Sequence, residues 1–169
     1  LKKKMQEGVI ICESFEKFET NDKYDLIVSS PPYGIGKTYE NTSTIDQYRT
    51  WAAGVVERLA MLVSNHGAVV WNVGTHTQGD GEYFPLDVLY IPLFCAAGFV
   101  LKNRIIWHFN HGLHDKKRLS GRYEVVLWFV RDAKNYTFNL DPIRVPSKYP
   151  NKKAYKGKNK GKLSGNPLG

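Results

Sequence analysis

The sequence predicts an α/β protein whose sheet is mostly parallel and ends in an antiparallel strand pair. Three observations carry this. Apolar runs of strand length alternate with an amphipathic helical stripe. Proline and glycine punctuate the ends of those runs. Late in the chain, two strand-like segments at 99–109 and 123–131 are separated only by the polar loop 110–122, which suits antiparallel pairing.

In chain order, Val9-Ile10-Ile11-Cys12 reads as a short buried strand, with Ser14 as a cap for the turn at 15–18. Asp25-Leu26-Ile27-Val28-Ser29-Ser30 reads as a second buried strand, stopped by Pro31-Pro32. Thr44-Ile45-Asp46-Gln47 fits a capping box and opens a helix. Its apolar stripe is Ile45, Tyr48, Trp51, Val55, Leu59 and Leu62, with a glycine stop expected at Gly67. Ala68-Val69-Val70-Trp71-Asn72-Val73 is a third strand, and 74–81 a loop. Residues 85–97 read as a helix that Pro92 kinks or delays and Gly98 ends. Helices are expected on both faces of the sheet, and such sheets bind ligands at the carboxyl ends of their strands. Ser29–Tyr33 and 72–75 occupy that place.

The 169 residues amount to about one domain on composition. A boundary is nevertheless expected at 133/134, because beyond it periodicity gives way to glycine, proline, asparagine and lysine. From Pro142 onward eight basic residues stand without one acid, while the rest of the chain balances its charges. A neutral body with a basic end points to a polyanionic partner. No apolar run reaches the roughly 18 residues of a membrane span. The basic opening Lys2-Lys3-Lys4 leads into no long apolar segment, so no secretory signal is expected. Cys12 and Cys95 lie in apolar runs and read as buried, reduced thiols of a cytoplasmic protein.

Ser30-Pro31-Pro32-Tyr33 is the sharpest signal. Two prolines fix two φ angles and remove two N–H donors, leaving nearby carbonyls without competing donors. Ser30 adds a hydroxyl and Tyr33 an aromatic face. A small acceptor-rich pocket with a stacking platform suits a planar heterocycle bearing an amino group. The plainer alternative is a strand-terminating turn.

In this setting, Asp25 to Glu40 (DLIVSSPPYGIGKTYE) resembles the catalytic motif of DNA methyltransferases that modify the exocyclic amino groups of cytosine (N4) or adenine (N6). Residues 9–14, 67–74, 98–107 and 122–130 are similar to further segments of that family in the same order. The resemblance implies a Rossmann-like methyltransferase sheet, partial in this chain, and S-adenosylmethionine as methyl donor to a base flipped out of double-stranded DNA. Carried over by position, Ser30 and the carbonyl near Pro31 accept hydrogen bonds from the amino group, and Tyr33 stacks on the base. Serine rather than aspartate at the first position favours cytosine N4. The resemblance also places Glu13 and Ser30 in the cofactor pocket, although Glu13 reads equally as an ordinary exposed acid.

The family's Phe-x-Gly-x-Gly cofactor loop has no counterpart here; Gly79-Asp80-Gly81 sits in a polar loop. The chain opens on Leu1 and closes on Asn166-Pro167-Leu168-Gly169. Both ends lead to the expectation of a fragment whose C-terminal half completes the cofactor site, inactive by itself. Residues 134–169 fall where the family's target-recognition region lies, so Lys148, Lys152, Lys153 and Lys156 are candidate DNA contacts, with a solubilising tail as the plain alternative. Lys37 and Tyr39 are candidate contacts in the loop after the motif, with solvent exposure the alternative. The partial P-loop Gly34-Ile35-Gly36-Lys37-Thr38 lacks its first glycine, since proline stands at 31. His108, His111 and His114 have histidine spacing but no cysteine nearby, so no metal is expected. Trp71, Trp107 and Trp128 read as core. A non-catalytic DNA-binding module with a basic tail is the alternative function, and it would have no use for Ser30–Tyr33.

Overall fold

The computed structural model describes residues 8–40, 43–77, 81–112, 114 and 116–163. The Lys2–Lys4 run, Gly79-Asp80, Asp115 and the closing Asn166–Gly169 therefore lie outside the described residues. The chain forms two compact units, 1–136 and 137–169.

In the first unit, strand β1 (Tyr24–Ser29) leads through a long loop into helix α1 (Ile45–Leu62), then β2 (Val63–Val73). A two-stranded ribbon of β3 (Thr75–Thr77) and β4 (Tyr83–Pro85) precedes helix α2 (Leu86–Ala96), and β5 (Val100–His108) and β6 (Tyr123–Val130) follow. The main sheet has the order β1-β2-β6-β5. β1 and β2 are parallel, and β6 is antiparallel to both β2 and β5. Three of the four strands thus run one way, with β6 the reverse member of the closing antiparallel pair.

Helix α1 starts as its sequence dictates. The Thr44 hydroxyl accepts from Gln47 N–H at 3.3 Å, while the Gln47 side chain accepts from Thr44 N–H at 3.0 Å. Its buried face is Tyr48, Ala52, Val55, Val56, Leu59 and Leu62; Ile45 and Trp51 of the expected stripe are only partly buried against the core, and Ala52 and Val56 are buried instead. The helix does not run to Gly67. It ends at Leu62, and regular pairing of β2 with β1 resumes only at Ala68, beyond an irregularity in register. Gly67 serves close packing there: a Cβ would come within 2.9 Å of the Tyr24 carbonyl oxygen. Helix α2 does begin before Pro92 and carries it in its interior. Gly98, at φ +84°, closes it, with Phe99 N–H bonded back to the Phe94 carbonyl at 3.0 Å.

One sheet face, built from Val69, Trp71 and Val73 of β2 and Val125, Leu127 and Phe129 of β6, forms the core with both helices. Phe94 of α2 stacks on Phe129 at 4.3 Å between centroids. Cover on both faces does not follow. β1 lies at the sheet edge, and its outward-facing Leu26 and Val28 are 58% and 65% exposed. Ile27 packs against the core and is itself only partly buried, so the expected buried strand is a half-exposed one.

Residues 9–12 are likewise no strand: Ile10 is 97% exposed and the segment pairs with nothing among the described residues. Ser14 does form a turn, its carbonyl accepting from Lys17 and Phe18 N–H, but its hydroxyl lies toward Glu16 rather than capping. Both cysteines are exposed, against expectation. Cys95 follows the buried Phe94 on the helix and so points outward, and Cys12 belongs to the unpaired segment. Trp71 is core, but Trp107 is 58% exposed because β5 is the other sheet edge. Tyr136 packs edge-on to Trp128 at 5.6 Å, which holds the chain to the body beyond the composition break at 133/134.

Among the described residues, the second unit has no long element. It contains two 3₁₀ turns, Asp141–Ile143 and Gly157–Asn159, and a bridge between Lys153 and Leu163. Ala154 N–H donates to the Lys162 carbonyl at 2.8 Å, and Gly161 N–H to the Ala154 carbonyl at 2.9 Å. The lysine-rich stretch is therefore a closed loop, with Gly157 and Gly161 at positive φ. Among the described residues, no helix is long and apolar enough to cross a membrane.

Candidate active site

The parallel strands β1 and β2 deliver Ser30 and Asn72 side by side, and the reversed β6 brings Glu124 to the same end of the sheet. Asn72 Nδ2 donates to Glu124 Oε2 at 2.6 Å and lies 3.5 Å from Ser30 Oγ and 3.4 Å from the Tyr33 hydroxyl. The hydroxyls of Ser30 and Tyr33 are 3.3 Å apart. Burial pushes the Tyr33 phenol above its ordinary range; the Ser30 hydrogen bond opposes that rise and the Glu124 carboxylate adds to it. The ring packs against Gly74, where a Cβ would come within 2.7 Å of its Cε2. Tyr33 is thus held both at its hydroxyl and at its ring.

The backbone of the motif is held from below. The Tyr48 hydroxyl donates to the Pro32 carbonyl at 2.8 Å and is 3.0 Å from the Tyr90 hydroxyl. His76 Nδ1 donates to the Tyr33 carbonyl at 2.7 Å. Burial drives the Tyr48 phenol far up and the Tyr90 phenol up to about 12.

After the motif, Gly34 and Gly36 adopt φ +70° and +75°. This turns the N–H groups of Gly34 and Ile35 onto the Glu40 carboxylate, at 2.8 and 3.0 Å. The glycines do make an anion nest, but the chain fills it with its own acid. That removes the phosphate-loop reading.

Two cavities meet at the motif. The larger, of about 1050 Å³, lies between β1 and α1 and has Phe15, Ile27, Tyr48 and Trp51 among its walls, with Glu16 and Glu40. The smaller, of about 490 Å³, is bounded by Ser30, Tyr33 and Glu124. Pro31, Pro32 and Tyr39 line both. The first has the size of a small-molecule site. Its aromatic walls and two carboxylates suit a ligand with a planar ring and a cationic centre. The Glu16 carboxylate is steered by Trp51 Nε1, which donates to it at 2.6 Å.

Residues 24–166 match the model of the N6/N4 DNA methylases. The chain belongs to that family. Among curated DNA methylases it is similar to the type II methyltransferase M.BglII of Bacillus subtilis, 43% identical over 149 residues, which are 88% of this chain and 41% of that protein. It is also similar to the DNA adenine methyltransferase YhdJ of Escherichia coli K12, 31% identical over 137 residues, 79% of this chain and 43% of that protein. This chain therefore spans less than half the length of these relatives. The fold is shared with the cytosine-N4-specific PvuII DNA methyltransferase, at a TM-score of 0.53 and 16% identity over 79% of this chain and 56% of that one. The Rossmann-like methyltransferase sheet is thus present, in part, in this chain.

Of the residues singled out from the sequence, Ser30, Pro31, Pro32 and Tyr33 come together as one wall. Glu13 is exposed, whereas its neighbours Ser14, Phe15 and Glu16 line the larger cavity. Lys37 is exposed, and Tyr39 is 76% exposed at the mouth of both cavities. Lys148, Lys152, Lys153 and Lys156 are all exposed in the second unit. Among the described residues, no three histidine, cysteine or acidic side chains are grouped as a metal site requires. Arg122 instead reaches His114 Nδ1 at 3.4 Å. Sequence reasoning missed Asn72, Glu124, Glu40, Tyr48 and His76. Position at a strand's carboxyl end pointed to the stretch from Asn72 onward, and the closing antiparallel pair was expected, but nothing in the sequence says that β6 is its reversed member, lies beside β2 and offers its second residue to the same end.

Proposed function

We propose that this chain is the catalytic-motif part of an enzyme that transfers a methyl group from S-adenosylmethionine to the exocyclic amino group of a base flipped out of double-stranded DNA. Cytosine N4 stands ahead of adenine N6 on the strength of serine at 30. The observation that supports the reading is the double use of Pro31 and Pro32 as a wall between a cofactor-sized cavity and a small polar one.

S-adenosylmethionine, when bound, supplies a methyl group on a sulfonium, open to attack by a nitrogen lone pair. Ser30 Oγ and the Pro31 carbonyl accept the two amino hydrogens and so turn the lone pair toward the larger cavity. Tyr33 presents its ring to the base, which cannot be reached inside the duplex. Transfer would leave the bound donor as a neutral thioether, and the surplus proton of the amino nitrogen would pass to solvent. Positioning and fixed acceptors do the work.

Glu13 and Ser30 enter this proposal as cofactor contacts, the former beside the cavity-lining Ser14. Lys37, Tyr39, Lys148, Lys152, Lys153 and Lys156 enter as DNA contacts. The remaining cofactor contacts come from sequence outside residues 1–169, as the greater length of the relatives supports. The type II names among those relatives support a restriction–modification setting.

The test is expression of the full-length protein in cells free of DNA methylation, with the DNA digested to nucleosides. N4-methylcytosine is expected. N6-methyladenine would reassign the base, and neither would overturn the reading. Calorimetry of residues 1–169 alone should show weak S-adenosylmethionine binding; tight binding with methyl transfer would overturn the need for a second segment.

A further inference from the structure

We propose that Tyr48 and His76 are positioning residues that take up the Pro32 and Tyr33 carbonyls, so that Pro31 is the motif carbonyl left to the amino group. The inference deepens the reading above and rests on it. Each proline removes a donor, which leaves a run of carbonyls with no local partner. Two of these are satisfied by buried side chains from different elements. Tyr48, on α1 and 3% exposed, donates to the Pro32 oxygen at 2.8 Å. His76, on β3 and 1% exposed, donates to the Tyr33 oxygen at 2.7 Å. Among the described residues, no side chain is bonded to the Pro31 oxygen.

Both donors are held in one state. A hydroxyl has one hydrogen. With that of Tyr48 given to Pro32, the Tyr90 hydroxyl 3.0 Å away must donate to the Tyr48 oxygen. The order Tyr90, Tyr48, Pro32 is then a directed chain in which each bond polarises the next. For His76, a carbonyl accepts only, so Nδ1 carries the hydrogen. Its Nε2 is buried without a partner, which suits a lone pair and not a second hydrogen. The two rings lie 5.5 Å apart under the motif. Gly34 passes between: a Cβ there would meet Tyr48 Cδ2 at 2.9 Å and His76 Nδ1 at 3.1 Å. His76 lines neither cavity, and Tyr48, whose ring is part of the larger cavity's wall, gives its hydroxyl hydrogen to the Pro32 carbonyl. They act through the backbone.

The test uses the full-length protein, with methyl transfer to duplex DNA followed against substrate concentration. Asparagine can place an amide donor where histidine has Nδ1, whereas glutamine places it one bond further out. His76→Ala, His76→Gln and Tyr48→Phe should each lower kcat about tenfold with KM for DNA nearly unchanged, the effect of one lost hydrogen bond. His76→Asn should recover most of the rate. In the wild-type protein, nitrogen NMR should find the His76 hydrogen on Nδ1. A His76→Asn variant as slow as His76→Ala, a change confined to KM, or a hydrogen on Nε2 would overturn the inference while leaving the methyltransferase reading intact. A wild-type protein that transfers no methyl group would overturn both.

Discussion

Asn72 and Glu124, on neighbouring antiparallel strands, are joined by a 2.6 Å hydrogen bond whose amide also faces the hydroxyls of Ser30 and Tyr33. The Tyr33 ring is therefore aimed by the sheet rather than by its own loop. Asn72→Ala should leave Glu124 half-buried and without its amide donor. A stability loss of about 1–3 kcal/mol is expected from the unpaired group. Glu124→Gln, which keeps the shape, should cost less. Urea unfolding of the two variants beside wild type checks the order.

Tyr33→Ala should reduce turnover roughly ten- to hundredfold with little change in DNA affinity, because base–aromatic stacking is worth about 1–3 kcal/mol and phosphate contacts supply most affinity. Tyr33→Phe keeps the ring and its seat on Gly74 and loses the hydroxyl's bonds to Ser30, Asn72 and Glu124. It should retain most activity. Equal damage from the two variants, seen in single-turnover methylation, would remove the stacking role.

Much of this was legible beforehand, and the misses are instructive. Thr44 and Gln47 report a helix start because the groups that satisfy each other lie three residues apart. Gly98 reports a helix end because only its own φ is at issue. Residues 9–12 and 25–30 look alike in composition, yet one is unpaired and the other is an edge strand. Apolarity records a preference for burial and does not name the partner. Glu124 and His76 act on residues 91 and 43 positions earlier, Tyr33 in both cases. No local pattern encodes such pairings; they follow from strand order and direction.

Stability should fall at high pH. Burial raises Tyr90 to about 12, and Tyr48 rises as well, from about 10 in an unfolded chain. A raised pKa means that the folded state holds its proton more tightly, so the contribution is complete below about pH 10 and is lost as pH climbs toward 12. Urea midpoints measured across that interval should drop steeply. Tyr48→Phe, which cannot ionise there, should flatten the drop.

The closed lysine loop of the second unit should bind duplex DNA electrostatically. With about four phosphates engaged, log K should fall against log salt with a slope near −3.6. Titrations at several salt concentrations measure it, and charge-neutral substitution of Lys152, Lys153 and Lys156 should flatten the line. A response already flat in the wild-type protein would mark the loop as a solvated surface only.

The loop from Gly34 to Glu40 also bears on discrimination between metabolites. A protein that uses S-adenosylmethionine meets ATP in the same cell, and the two share an adenosine. What hangs from the ribose must tell them apart: a sulfonium cation in one, a string of phosphates in the other. An open ring of backbone N–H groups would have favoured the phosphates. Here the same turn carries its own anion, since Glu40 occupies the N–H groups of Gly34 and Ile35. A triphosphate at this turn would meet a carboxylate already seated, whereas a sulfonium in the cavity that Glu40 lines would meet a counter-charge. The five residues that imitate a nucleotide-binding loop, Gly34 to Thr38, thus begin a turn whose N–H groups are already taken.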